Sequence, residues 1–305
     1  MKKQIIAAAV AASMSAVALA DVSITGATKL NWTSTEGTNG VDNVIGTEID
    51  LFVVGKVGDT EVHLNLEDKN NSDSMAIKNN YLTTKVGDIA VKAGTWFSGD
   101  SNLNDAAEQA ERVSLTTGMG PMSINFQHEP GTATEHNEVT VKAAIGGVNV
   151  SYEMENVNAH KILGLSGDIS GVKFAYTDSD SDVATDEESG YSLTTDIAGM
   201  TLTYQHAEST KGTTSDGFFG THAKDKSYVI DASGFGITTA LAGNTVQLRN
   251  YEVKSSTSAD GTVDATKRDT KVIVTRKLAS GATAEVTYVT GDSATSLDVE
   301  LAVAF

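Results

Sequence analysis

The sequence predicts an all-β fold, a transmembrane antiparallel up-and-down β-barrel of about sixteen to eighteen strands, on three observations. Apolar and polar residues alternate with period two from Asp21 onward, the pattern of strands that bury one face or turn it to lipid. Tight turns and longer polar loops alternate in strict succession. The chain closes on an amphipathic strand that stops at an aromatic residue, Phe305.

The elements justify this reading in order. Lys2 and Lys3 precede an apolar run from Ile5 to Leu19 that ends in Ala18-Leu19-Ala20. This is a secretory signal peptide over residues 1–20, with the barrel domain over 21–305. Among the strands, Val62, Leu64 and Leu66 oppose Glu61, His63, Asn65 and Glu67, while Ile49, Leu51 and Val53 oppose Glu48, Asp50 and Phe52. Met122, Ile124 and Phe126 alternate with Ser123, Asn125 and Gln127 in the same way. Tight turns are expected at Gly58-Asp59, Gly87-Asp88, Gly118-Met119-Gly120, Gly146-Gly147, Ser170-Gly171, Ala198-Gly199, Gly234-Phe235-Gly236 and Ser280-Gly281. Polar loops fall between them, the longest over 209–224. A phase shift around Gly243-Asn244 reads as a bulge inside one long strand. Strands of about 9–11 residues cross a bilayer when tilted, and short turns on one side with longer loops on the other complete the pattern.

Composition removes other classes. The formal charge of −18 repels phosphates, so nucleic acid is excluded as a partner. No apolar stretch after residue 20 is long enough for a membrane helix. Cys is absent, which leaves no disulfide, thiolate nucleophile or Cys-based metal site. No G-x-S-x-G elbow and no H-E-x-x-H pair occurs, so no enzyme is expected, and the six histidines read as polar loop and wall residues. Asp178, Asp180 and Asp182 offer carboxylates at alternate positions, as a calcium loop would. Val183 and Ser189 stand where the full motif needs Gly and Glu, so the alternative is a solvated acidic loop that holds Ca2+ loosely and bridges lipopolysaccharide phosphates. No other cofactor is expected.

The ending Val299-Glu300-Leu301-Ala302-Val303-Ala304-Phe305 resembles the C-terminal signal read by the barrel-assembly machinery. With the signal peptide and the alternating connections, the mature chain resembles Gram-negative outer-membrane general porins. That resemblance implies a multi-pass barrel in the cell outer membrane, embedded in lipid bilayer and lipopolysaccharide, a homotrimer, and transport of ions and small hydrophilic solutes by passive diffusion. General porins have sixteen strands, and their third loop folds into the pore; the corresponding loop here is 98–111. A substrate-selective channel, such as one for sugars, is the nearest alternative, and an exported β-rich surface or adhesive protein without a pore is another.

If the polar face looks inward, the lumen wall carries Glu48, Asp50, Lys56, Glu61, Glu67, Lys92, Arg112 and Lys142. Acids exceed bases, and loop 98–111 adds Asp100, Asp105, Glu108 and Glu111 before the first base, Arg112. As a pore constriction these four carboxylates would favour cations; the competing reading is a solvated outer loop. Asp105 to Glu111 has the composition of a short helical turn. Aromatics including Trp32, Tyr81, Trp96 and Tyr288 are expected at strand ends or along the outward face, as interfacial girdles.

Overall fold

A computed structural model describes residues 21–37, 40–69, 75–98, 108–130, 135–156, 160–180, 188–213, 228–256, 265–292 and 295–305. Residues 1–20, where a signal peptide is expected, lie outside them. In chain order the strands are β1 (Asp21–Gly37), β2 (Gly40–Val57), β3 (Thr60–Lys69), β4 (Ala76–Val86), β5 (Ile89–Ser98), β6 (Glu108–Met119), β7 (Met122–Glu129), β8 (His136–Ile145) and β9 (Val148–Glu155). They continue as β10 (Lys161–Ile169), β11 (Val172–Asp180), β12 (Glu188–Ile197), β13 (Met200–Thr213), β14 (Tyr228–Leu241), β15 (Asn244–Ser256), β16 (Ala265–Lys277), β17 (Thr283–Gly291) and β18 (Ser296–Ala304).

Every strand pairs antiparallel with its sequence neighbours, and β1 pairs with β18, so the 18-stranded sheet closes on itself. Closure removes the unpaired edges that an open sheet would expose. The seam runs from Thr35 opposite Ser296 to Ala27 opposite Ala304. It is completed by a reciprocal backbone pair, Gly26 N–H to Phe305 O at 2.8 Å and Phe305 N–H to Gly26 O at 2.9 Å. The strand number is eighteen, above the sixteen of general porins.

Two local expectations are corrected. Gly234-Phe235-Gly236 is strand, not turn: it lies inside β14, where Gly234 stands opposite Tyr251 and Gly236 opposite Arg249. The turn falls instead at Ala242-Gly243, both with positive φ (50° and 78°), and the phase shift there is the hairpin itself rather than a bulge. Two consecutive positive φ values define the type I′ turn whose twist matches the flanking strands. The two errors cancel, which is why the strand total is unaffected. A bulge does occur at Lys78, where Asn65 pairs with Asn79 but Leu66 pairs with Ile77.

One face of the wall is the lipid-facing belt. Ile24, Leu30, Ile49, Val62, Leu82, Leu115, Phe126, Leu193, Leu248 and Val286 are all exposed, too large a continuous apolar surface for a protein in water. Directly opposed residues share a face, so registers such as Leu30 with Leu301 and Trp32 with Val299 carry the belt across the seam. Trp32, Tyr152, Tyr191, Tyr204 and Tyr288 belong to this outward face. β13 to β16, at 13 or 14 residues, are longer than a tilted crossing needs. Their surplus carries outward ion pairs, Lys254 with Asp231 and Arg268 Nε with Glu252 Oε2 at 2.6 Å. Charges there are costly in hydrocarbon, so this part of the wall stands above the apolar belt.

Candidate functional site

The other face is the lumen, and register fixes its membership. Asp50 stands opposite Glu67 and Lys56 opposite Glu61 across β2 and β3, while Glu48 stands opposite Lys29 across β1 and β2. Lys92 stands opposite Thr83 and Ser114, Arg112 opposite Gly94, and Lys142 opposite Ser123 and Ser151. All eight residues expected on the wall therefore lie on the polar face, because strand alternation alone sets the side once the apolar face is known.

Their partners come from non-local pairing. Lys29 Nζ donates to Glu48 at 2.9 Å, Lys56 Nζ to Glu61 at 2.7 Å, and Lys78 Nζ lies 2.8 Å from Glu67. The bulge re-aims Lys78, as an extra residue in one strand does. One oxygen from each of Glu48, Asp50 and Glu67 lies within 4.8 Å of the others, a carboxylate cluster held together by the flanking lysines. Such a cluster concentrates negative charge on this part of the wall.

A second group lines the same face from β3 to β6. The His63 and Tyr81 rings stack at 4.7 Å and 18°. Lys92 Nζ sits 4.1 Å from the Tyr81 ring centre and 4.2 Å from that of Trp96, within cation–π range of both. Arg112 is buried; its Nε donates to Glu129 at 2.9 Å and its Nη1 to the Trp96 carbonyl at 3.0 Å. Tyr81 and Trp96 are thus lumen residues, a correction to their expected outward placement. Their strand parity shows this only after Arg112 and Lys92 are known to be inward.

Burial varies along the barrel. Glu67, Trp96, Arg112, Glu138, Thr140, Thr177, Ser179, Tyr251 and Asp269 are all buried on the lumen face in the loop-end half of their strands. Glu138 accepts from Gln127 at 2.9 Å and from Thr140 at 2.7 Å. Toward the short turns the wall opens into a recess of about 610 Å³ lined by small residues such as Ala144, Ser151, Gly164 and Ser166, in which Lys142 is the one charged residue. Side chains on the lumen face are therefore more buried toward the loop end than along this recess.

Of the loop 98–111 carboxylates, Asp100 and Asp105 lie outside the described residues. Residues 108–111 are strand rather than a helical turn. Glu108 is in register with Ser98, and Glu111 with Thr95 on the face opposite to Arg112. Asp178 and Asp180 share the outward face of β11, across from Leu163 and Lys161; Asp182 lies outside the described residues. Sequence reasoning also missed Lys78, hidden by its bulge, and the approach of His136 and His160 to Glu155 at 3.3 and 3.5 Å. Neither has a short-range motif that would have shown it.

No protein-family model matches this chain, and no curated protein does. Solved structures do. Pseudomonas aeruginosa OccK8 (OprE) aligns with TM-score 0.65 at 9% identity, over 93% of this chain and 98% of that one. The fold is that of a porin barrel. P. aeruginosa OccK2 (OpdF), solved in complex with glucuronate, aligns with TM-score 0.71 at 8% identity over 93% and 98% of the two chains. A mutant of the Rh. blastica porin aligns with TM-score 0.60 at 11% identity, covering 93% of this chain and all of that one. The likeness at these identities is one of fold: a barrel wall sealed without edges.

Proposed function

We propose that the protein is an outer-membrane porin, a water-filled channel through which ions and small hydrophilic solutes diffuse passively, with a preference for cations. The observation that carries this reading is the polar lumen wall, with the Glu48, Asp50 and Glu67 cluster on the inner face of a closed apolar-coated barrel. Carboxylates at close quarters raise the local cation concentration and repel anions. Asp100, Asp105 and Glu108 add to this field if loop 98–111 lies at the constriction, whereas Glu111, on the outward face of β6, does not. The likeness to porin folds supports the outer-membrane location; a homotrimer and an inward-folded third loop are what the resemblance to general porins implies, and Phe305 supports recognition by the barrel-assembly machinery. The acidic segment around Asp178, Asp180 and Asp182 fits loose Ca2+ bridging to lipopolysaccharide.

A second reading rests on a separate observation. Lys92 is held over two aromatic faces rather than by a carboxylate, which suits a substrate-selective channel that guides an anionic sugar along the wall. Glucuronate, the ligand named for OccK2, is the natural probe.

The test is single-channel conductance of refolded protein in a planar bilayer, followed by the reversal potential in a salt gradient. Stable conductance with cation preference supports the general channel. Cation current blocked by glucuronate, with the block lost in Lys92→Met, supports the selective one. An inert bilayer overturns both.

A further inference from the structure

We propose that the recess around Lys142 is a binding site for a small polyhydroxylated monocarboxylate, an aldonic or uronic acid, on the lumen wall near the short turns. This site presupposes that the inner face is a solute path, and it lies on strands apart from Lys92. Lys142 stands on β8 opposite Ser123 of β7 and Ser151 of β9. The wall continues on β10, where Gly164 stands opposite Ser151 and Ser166 opposite Asn149.

The first observation is a cavity built by small side chains. Ala144, Gly164 and Ala175 on the inner faces of β8, β10 and β11 leave about 610 Å³ open over the wall, within the range of about 300–1,000 Å³ of small-molecule sites. At Gly164 the space that a Cβ would fill is taken by Ser151 Oγ, so a hydroxyl covers the backbone there. Leu165 and Tyr176, paired with each other at the border, alternate to the outer face. The inner surface therefore offers no apolar platform and suits a ligand that is polar all round.

The second observation is an ammonium without a carboxylate. Lys142 is the one charged residue lining the recess, and among the described residues it forms no ion pair. Other lumen lysines are held: Lys29 by Glu48, Lys56 by Glu61, Lys78 by Glu67, and Lys92 over the Tyr81 and Trp96 rings. The acids nearest along the wall bond elsewhere. Glu153 accepts from Thr140 at 3.2 Å, and Glu138 accepts from Gln127 and Thr140 at 2.9 and 2.7 Å. Glu138 is also four residues from Lys142 along β8, about 13 Å at the rise of a strand. The Lys142 ammonium is thus left with its donors for a carboxylate that arrives from water.

The third observation is the rim. Ser123, Asn149, Ser151 and Ser166 line the recess and, among the described residues, have no side-chain hydrogen bond. On the adjoining wall the equivalent groups are already bonded, since Asn125 donates to Ser114 Oγ at 2.6 Å and to Thr116 Oγ1 at 2.7 Å. Serine hydroxyls and an amide both donate and accept, which is what the hydroxyls of a polyol need from a wall. One base sets the charge of the ligand. A carboxylate is answered by a single ammonium, whereas a phosphate monoester would carry a second negative charge with no partner.

Ligand-observed saturation-transfer NMR of the refolded full-length barrel, titrated with gluconate at low salt, tests this directly. Sorbitol and acetate are the controls, carrying only the hydroxyls or only the charge. The expected result is saturable gluconate binding at a millimolar or tighter dissociation constant, with both controls at least ten-fold weaker. At least a ten-fold loss is expected in Lys142→Met, and also in Ala144→Phe, which fills the recess and keeps the charge. Heat-modifiable mobility on gels checks that each variant is folded. If a variant fails to fold, gluconate protection of Lys142 from acetylation in the unmodified protein, read by peptide mass, replaces it. No saturable gluconate binding, or equal binding in the folded variants, or no protection, overturns the site. Binding lost in Lys92→Met but kept in Lys142→Met would place the ligand at Lys92 and overturn it as well. The binding readout does not depend on conductance, so failure of the channel reading and failure of this site are told apart.

Discussion

At the scale of single residues, two positions concentrate constraint. Gly94 adopts φ 131°, and a Cβ placed there would run into the Asn80 carbonyl and the Tyr81 backbone of the neighbouring strand. Gly94→Ala should therefore cost about 1–3 kcal/mol, read as a lower urea midpoint for the folded barrel; an unchanged midpoint would mean that the wall relaxes freely at that point. Arg112 is the other. Buried between Glu129 and the Trp96 carbonyl, its guanidinium satisfies groups that Arg112→Met would leave unmet. Because Glu129 remains partly open to water at 29%, the expected loss is about 1–3 kcal/mol rather than the larger cost of a fully buried pair. A smaller loss in the same unfolding experiment would show that water replaces the guanidinium. Which side Arg112 faces was legible in the alternation of its strand, but its partners were not, because they depend on the register of β6 against β5 and β7. The special conformation of Gly94 left no trace either, since a glycine inside a strand resembles any small residue until a neighbouring backbone closes on it.

At the scale of elements, the strands were legible because period two survives in nearly every one, and the weak point was choosing among glycines. Gly234 and Gly236 looked like a turn, but they occupy lumen-face positions opposite Tyr251 and Arg249, whereas Ala242 hides the true hairpin behind an ordinary residue with φ 50°. This yields a direct contrast. A short epitope inserted between Ala242 and Gly243 should leave barrel formation intact, while the same insertion between Gly234 and Phe235 should abolish it, because it interrupts ladders with both β13 and β15. Heat-modifiable gel mobility separates the two; tolerance of both insertions would contradict the β14 assignment. The last strand is the second test at this scale. Phe305 adds two backbone hydrogen bonds to the seam, and its ring lies against Gly26, where no Cβ would fit. Deleting Phe305 should slow folding into lipid vesicles and weaken the closed form, measured by the rate at which the heat-modifiable band appears. Replacement by Tyr, which keeps the bonds and the ring, should restore most of that rate.

At the scale of the whole molecule, closure turns a list of charges into a pattern around a ring. Glu285 and Glu300 stand opposite each other across β17 and β18, and the acidic sector continues through Glu48, Asp50 and Glu67 on β2 and β3. Bases follow at Lys92 and Arg112 on β5 and β6, and again where Arg249 stands opposite Lys271 on β15 and β16. The acid excess was legible from composition, but this sectoring was not, because β1 and β18 lie at opposite ends of the chain and meet only at the seam. On the proposed channel reading, a sectored lumen with a net acidic balance draws cations along one side, and an exposed field of this kind is screened by salt. The triple change Glu48→Gln, Asp50→Asn and Glu67→Gln should thus move the reversal potential toward zero without closing the channel. In the unmodified protein the same loss of preference should come from salt alone: raising KCl from about 0.1 M to about 1 M shortens the screening length from about 10 Å to about 3 Å, less than the half-width of an open lumen. If cation preference persists undiminished at high salt and in the triple variant, selectivity resides in a dry contact at the loop-end constriction, and the carboxylates of the wall serve only to hold their lysines in place.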